Sequence, residues 1–179
     1  RAWVGALERI YYVFGVRPYA RRVQRGLRRE RKLYYWDWSE ARDDAARLEN
    51  FVMSHLRKAC HAWTDFGVGD FSLWYVRDKE KREVDALVTR DARPWLMVEV
   101  KQADVEVSGS LSRFAEALSC PRAVQAVATP GVRRRVKIDG RTFHVTSAAE
   151  PSGTGAGSTP SSVCVVSSSA MRVRRSFDR

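Results

Sequence analysis

Apolar residues near the start of the chain, Trp3, Val4, Leu7, Ile10, Tyr11 and Phe14, recur at three- and four-residue intervals. This spacing predicts an amphipathic helix ending near Val13 or Phe14, closed by Gly15 and Pro18. A second stripe, Ala45, Leu48, Val52, Leu56 and Cys60, predicts a helix running to about His61. Ser39 is placed to cap it, and Glu40, Asp43 and Asp44 fall where the positive end of the helix dipole favours acids. Glu49 lies inside that apolar stripe. Between the two helices, Leu33 to Trp38 is aromatic and reads as a short strand.

Beyond Gly67 and Gly69 the period changes from helical to alternating. Phe71 to Val76, Glu83 to Thr89 and Trp95 to Gln102 read as three strands, Leu111, Phe114, Ala115 and Leu118 as a helix capped by Ser108 or Ser110, and Ala123 to Ala128 as an apolar strand. Asp139-Gly140, between Arg133 to Ile138 and Arg141 to Thr146, carries the sequence's strongest hairpin signal. From residue 151 the composition turns to Ser, Gly, Thr and Pro, which predicts a disordered tail over 151–179. The order helix, three strands, helix, strand predicts an α/β fold with a central mixed β-sheet flanked by helices.

Charge narrows the class of partner. The 179 residues contain 32 Lys and Arg against 21 Asp and Glu, a formal charge of +11, which steers the chain toward a polyanion, nucleic acid first. The excess is concentrated in Arg17 to Lys32, where Arg21, Arg22, Arg25, Arg28, Arg29 and Lys32 suit contact with phosphates; a solvated face or a dock for an acidic protein fits equally well. Three dispersed cysteines and three unaccompanied histidines argue against a zinc site or a disulfide framework. No run is apolar enough for a membrane span, so a cytoplasmic location with no membrane partner is expected. The chain opens at Arg1 in what reads as mid-helix, which suggests a piece of a longer protein.

The candidate chemistry lies in the strands. Glu99 and Lys101 share one face of their strand while Leu96, Val98 and Val100 take the other; on the preceding strand Asp85 and Leu87 share a face opposite Val84, Ala86 and Val88. A hairpin centred on Ala92 pairs residues whose numbers add to 184, which sets Asp85 against Glu99 and Glu83 against Lys101. Two carboxylates so close need a proton or a cation between them, and Mg²⁺ or Mn²⁺ suits an all-oxygen seat. Asp85 and Glu99 are thus candidate metal ligands and Lys101 a candidate catalytic lysine for phosphodiester hydrolysis, with Glu49 a further acid brought in by the helix. Salt bridging among Glu83, Asp85, Glu99 and Lys101 on an exposed face accounts for the same pattern equally well.

The stretches Lys32-Leu-Tyr-Tyr-Trp-Asp-Trp-Ser, Arg47-Leu-Glu-Asn-Phe-Val, Arg82-Glu-Val-Asp-Ala-Leu-Val and Trp95-Leu-Met-Val-Glu-Val-Lys resemble the C-terminal domain of prokaryotic AAA-type ATP-binding proteins known as domain of unknown function 4143. That domain is similar to PD-(D/E)XK nucleases. The resemblance covers about residues 1–150 and implies a restriction-endonuclease-like αβββαβ core over 33–150. It also implies a partial winged-helix-like segment over 1–32, an ATPase module on the parent chain, and DNA as substrate. Asp85 and Glu99 would be the metal ligands, Lys101 the catalytic lysine and Glu49 the helix acid. Val84 stands in place of the proline of the superfamily's name. The sequence lacks GxxxxGK[ST], so ATP hydrolysis is not expected from this polypeptide alone. A catalytically silent DNA-binding or docking module is the alternative the resemblance leaves open.

Overall fold

The computed structural model describes residues 2–19, 31–103 and 106–149. The expected tail therefore lies outside the described residues, as do Arg21, Arg22, Arg25, Arg28 and Arg29. Among the described residues, three helices, α1 (Ala2–Arg9), α2 (Asp44–Asp65) and α3 (Gly109–Ala117), accompany an eight-stranded mixed sheet. Its strands are β1 (Val13–Pro18), β2 (Lys32–Tyr35), β3 (Phe71–Arg77), β4 (Glu83–Arg90), β5 (Arg93–Lys101), β6 (Ala123–Val127), β7 (Arg133–Ile138) and β8 (Arg141–Ser147), in the spatial order β2-β1-β3-β4-β5-β6-β8-β7. The mixed α/β class read from the periodicity holds.

The sheet is covered on both sides. Phe51, Val52, Met53, Leu56 and Cys60 of α2 pack with Ala86, Val88, Leu96 and Val98 in one core, while Leu111, Phe114 and Ala115 of α3 pack with Val84, Leu87, Met97 and Phe143 in the other. Burying one Leu or Val side chain contributes about 1.5–3 kcal/mol, so two cores of this composition fix the central strands firmly. β5, β6 and β8 run parallel, and α3 supplies the crossover that two parallel strands require.

Three local expectations are corrected. The first helix stops at Arg9, and Val13 and Phe14 belong to β1, which pairs antiparallel with β2 and parallel with β3. Tyr11, Tyr12, Val13 and Gly15 are weak helix formers, and a β-branched, half-buried run gains more from two strand neighbours than from one more helical turn. Residues 13–18 and Lys32 accordingly take part in the eight-stranded sheet. Second, β2 ends at Tyr35 and a 3₁₀ turn follows over Trp38–Glu40, capped by Asp37, whose Oδ1 accepts from the Ser39 amide and hydroxyl. Third, the cap of α2 is Asp43, accepting from the Ala46 amide at 2.8 Å, with Ser39 engaged elsewhere.

The two tightest hairpins each turn through two left-handed residues. Asp139 and Gly140 (φ 49° and 75°) join β7 to β8 as the dipeptide predicts, and Asp91 and Ala92 (φ 50° and 61°) join β4 to β5. Alanine in the left-handed region costs ~1–2 kcal/mol, part of which a glycine returns as backbone entropy. Ala92→Gly is therefore expected to stabilise the fold by about 0.5–1 kcal/mol, a rise of ~1–4 °C in thermal unfolding. A fall in melting temperature would show that the Ala92 methyl contributes packing that outweighs its strain.

Candidate metal centre

The central pairs of β4 and β5, Ala86↔Val98, Leu87↔Met97 and Val88↔Leu96, have the register expected from the sequence. Toward the turn an irregularity shifts it by one, to Thr89↔Pro94 and Arg90↔Arg93. In the other direction the ladder stops at Ala86↔Val98, so Asp85 and Glu99 are not a ladder pair. Instead Asp85 Oδ2 accepts the Val100 amide at 2.9 Å, a side chain taking a bond the missing strand carbonyl would have made.

The cause is a bulge in β4. Trp74 pairs with Leu87 and Val76 with Val84, so Asp85 and Ala86 together oppose the single residue Tyr75 of β3. A bulge resets strand alternation. Val84 accordingly joins Leu87 in the α3-side core, not Ala86 and Val88 as strict alternation requires, and Asp85 is freed from the Leu87 face. This brings its carboxylate within electrostatic range of Glu49 on α2 and Glu99 on β5.

Glu49 is held by β2. Asn50 grips the backbone of Tyr35, accepting from its amide at 2.8 Å and donating to its carbonyl at 2.7 Å, which docks β2 on the first turns of α2. Tyr34 then donates its hydroxyl to Glu49 Oε1 at 2.7 Å, and Lys32, on the same face of β2 two residues earlier, reaches the same oxygen at 3.2 Å. The Lys32 ammonium also pairs with Glu83 at 2.5 Å and stands 3.8 Å from Asp85 Oδ1. Lys32, expected among the residues facing phosphates, is thus the cation at the centre of three carboxylates. Tyr34 was not anticipated at all; the signal for both is their i, i+2 spacing ahead of an acid-bearing helix.

Lys101 pairs with Glu99 Oε1 at 2.8 Å, and not with Glu83, because the ladder that would have opposed Glu83 to Lys101 has ended. The Glu99 side chain is 6% exposed, and its Oε2 is buried without a hydrogen-bond partner. Gln125, opposite Glu99 on β6, turns its amide to the loop after β5, accepting from the Ser108 amide and donating to the Glu106 carbonyl. It shapes the wall beside Glu99, a role that the sequence pattern alone did not flag.

Four acids thus share the neighbourhood with two lysines. Burial, then the charges of Glu49 and Glu99, push the Asp85 carboxyl up to about 7, against the opposing pull of the Val100 amide and Lys32. Burial works to lower both lysines, yet the carboxylates prevail and each is raised: Lys32 through Glu49, Glu83 and Asp85, and Lys101 through Glu99 and Asp85. Burial and Glu49 push the Tyr34 phenol up as well, so it stays a donor.

Among the described residues, no group of three or more His, Cys, Asp and Glu side chains is arranged to hold a metal ion. The reason is visible in the contacts: Lys32 draws Glu49 and Glu83 to itself, and Glu99 turns one oxygen to Lys101. What fits a cation is narrower, namely Asp85 with the unpartnered Glu99 Oε2, two hard oxygen donors whose crowding a divalent ion would relieve. Cys60 and Cys120 are buried thiols pushed up to about 12 and about 11 by burial, as befits packing residues. No helix among the described residues is long and apolar enough to cross a membrane.

No curated protein matches the chain. The sequence model of the family described as Domain of unknown function (DUF4143) matches residues 44–149, from the first turn of α2 to just past the end of β8. That span is more than half of the 179 residues, and the chain belongs to this family.

Proposed function

We propose that the domain is a metal-dependent phosphodiester hydrolase of the PD-(D/E)XK type acting on DNA, and that it normally works at the C-terminal end of an AAA-type ATP-binding protein. The observation that carries this reading is the Glu99 carboxylate, almost wholly buried with one oxygen unpartnered, beside an Asp85 whose carboxyl is pushed up to about 7 by burial and by its acidic neighbours. A buried anion left short of a partner is costly, and such groups are retained where a ligand completes them. The order α2, β3, β4, β5, α3, β6 is the αβββαβ succession of that nuclease core, and the charge of +11 suits a polyanionic substrate.

Asp85 and Glu99 would hold Mg²⁺ or Mn²⁺, which when bound supplies Lewis-acid polarisation of a phosphoryl oxygen. Lys101, anchored on Glu99 and 40% exposed, keeps its charge and can reach a phosphate or position a water. Glu49 holds Lys32 and Tyr34 in place and adds the negative potential that favours a cation at Asp85. In this reading Lys32 is the resting counter-ion of the cluster, and a divalent ion at Asp85 would compete with its ammonium for these carboxylates.

The second reading, a silent DNA-binding or docking module of the ATPase, draws on the same lysine: an ammonium already bridging Glu49, Glu83 and Asp85 makes a self-satisfied cluster. Incubating the full chain with plasmid DNA and Mn²⁺ separates the two. Nicking is expected from the wild type and a loss of about 100-fold or more from Asp85→Ala and Lys101→Ala. Undiminished cleavage by both variants would defeat the assignment; no cleavage, with salt-sensitive binding retained in both, selects the module.

A further inference from the structure

A second constellation lies away from the carboxylates, where β1 leaves β3. Among the described residues the two strands pair only at Arg17↔Trp74 and Pro18↔Tyr75, while Val13 to Val16 pair with β2 alone. The sheet forks here, and a cavity of about 400 Å³ opens in the fork beneath α2. It is a size suited to a small ligand. Arg57 looks into it from a point eight residues beyond Glu49, ~12 Å along the helix, so this is not the metal centre.

The lining is basic. Arg17, Arg31 and Arg57 face the cavity with one acid, Glu8, among the described residues. Glu8 is already bound to Arg31 at 3.0 Å, an ion pair laid so closely over Gly15 that a Cβ there would stand 2.9 Å from the carboxylate. Among the described residues Arg17 and Arg57 have no such ion-pair partner, and the Arg57 Nε is buried without any hydrogen bond. A desolvated guanidinium donor left without an acceptor is costly, and it is a group that an anion would satisfy. His61, beside it, is lowered by burial and by Arg57, so it adds no further positive charge near neutral pH. Tyr11, at the mouth, leaves most of its ring in solvent.

We propose that this cavity binds a nucleoside monophosphate, its phosphate taken by Arg57 and Arg17 and its base laid on the Tyr11 ring. Two uncompensated guanidinium groups call for a dianion rather than a single carboxylate, and Arg meets phosphate with two parallel hydrogen bonds. An exposed aromatic face beside them favours a planar group on the phosphate bearer.

Isothermal titration of the full chain with AMP, inorganic phosphate and adenosine tests this. AMP should bind at least ~10-fold more tightly than adenosine, with inorganic phosphate between them, the phosphate contact being worth at least one factor of ten. Arg57→Met should weaken AMP by ~10-fold or more and leave adenosine unchanged, while Arg113→Met, removing an exposed charge on α3, should change neither. If Arg57→Met unfolds, Arg57→Lys keeps the charge and loses the fork, and a several-fold loss of AMP affinity is the expected result. Equal affinity for AMP and adenosine, no AMP binding at millimolar concentration, or AMP affinity untouched by the Arg57 change would overturn the site.

Discussion

Lys32→Met is expected to destabilise the metal-free protein near neutral pH and, at the same time, to create a strong response to Mn²⁺. Lys32 is the shared counter-ion of Glu49, Glu83 and Asp85, and its side chain is only 28% exposed. Removing the cation from a partly buried cluster leaves uncompensated carboxylates, a cost of 3–5 kcal/mol for fully buried pairs and about 2 kcal/mol here, since water reaches part of the cluster and Asp85 can take up a proton. For a chain of this size that corresponds to a fall of ~4–8 °C in EDTA. Methionine keeps most of the aliphatic stem, so the loss is electrostatic and not a cavity. A divalent ion can then take the place the ammonium left, and binding at a hundred times its Kd would return about 2.7 kcal/mol. The wild type, in which Lys32 competes, should respond to the same Mn²⁺ by a much smaller shift. If the variant gains nothing from Mn²⁺, the carboxylates are no seat for a cation; if the wild type gains as much, Lys32 does not guard it.

The difference between what sequence reveals and what it hides is clear at this site. Glu49 was legible because an acid in an apolar helical stripe needs a partner, and the partner is there. The three central pairs of the β4–β5 ladder and the Asp139-Gly140 turn were legible because local chain geometry determines them. The bulge at Asp85 and Ala86 was not, because it depends on how β4 fits against β3, and nothing in Glu83 to Thr89 alone distinguishes a bulged strand from a regular one. The same holds for β1: its periodicity is compatible with a helix, and only the presence of β2 and β3 on either side makes the strand the better solution. Along the chain Lys32 groups with its basic neighbours, whereas its position follows from the Asn50 clamp that sets β2 on α2. Cross-strand and helix-on-strand contacts carry the site, and those are the interactions that one-dimensional patterns express most weakly.

Asp85→Asn is expected to make the metal-free protein more stable at about pH 8 and to flatten its stability between about pH 4 and pH 7. In the fold Asp85 titrates near 7, raised by burial first and by Glu49 and Glu99 next; in the unfolded chain it returns to its ordinary value of 3.8. Between those two values the folded state holds a proton that the unfolded state has released, so stability falls as pH rises through the window. Below it both states are protonated and no penalty exists; above it both are ionised and the full penalty stands. A shift of this size sets an upper bound of about 4 kcal/mol, and partial hydration of the cluster makes about 2–3 kcal/mol the working expectation. Asparagine carries no charge to desolvate, and its Oδ1 can still accept the Val100 amide, so the variant should gain that amount at about pH 8, ~4–12 °C, and nothing near pH 4. Thermal unfolding in EDTA across that range measures both ends. A variant that follows the wild-type curve in parallel would mean that Asp85 is as comfortably ionised in the fold as in water, and the crowding of acids that makes this cluster attractive to a cation would not exist.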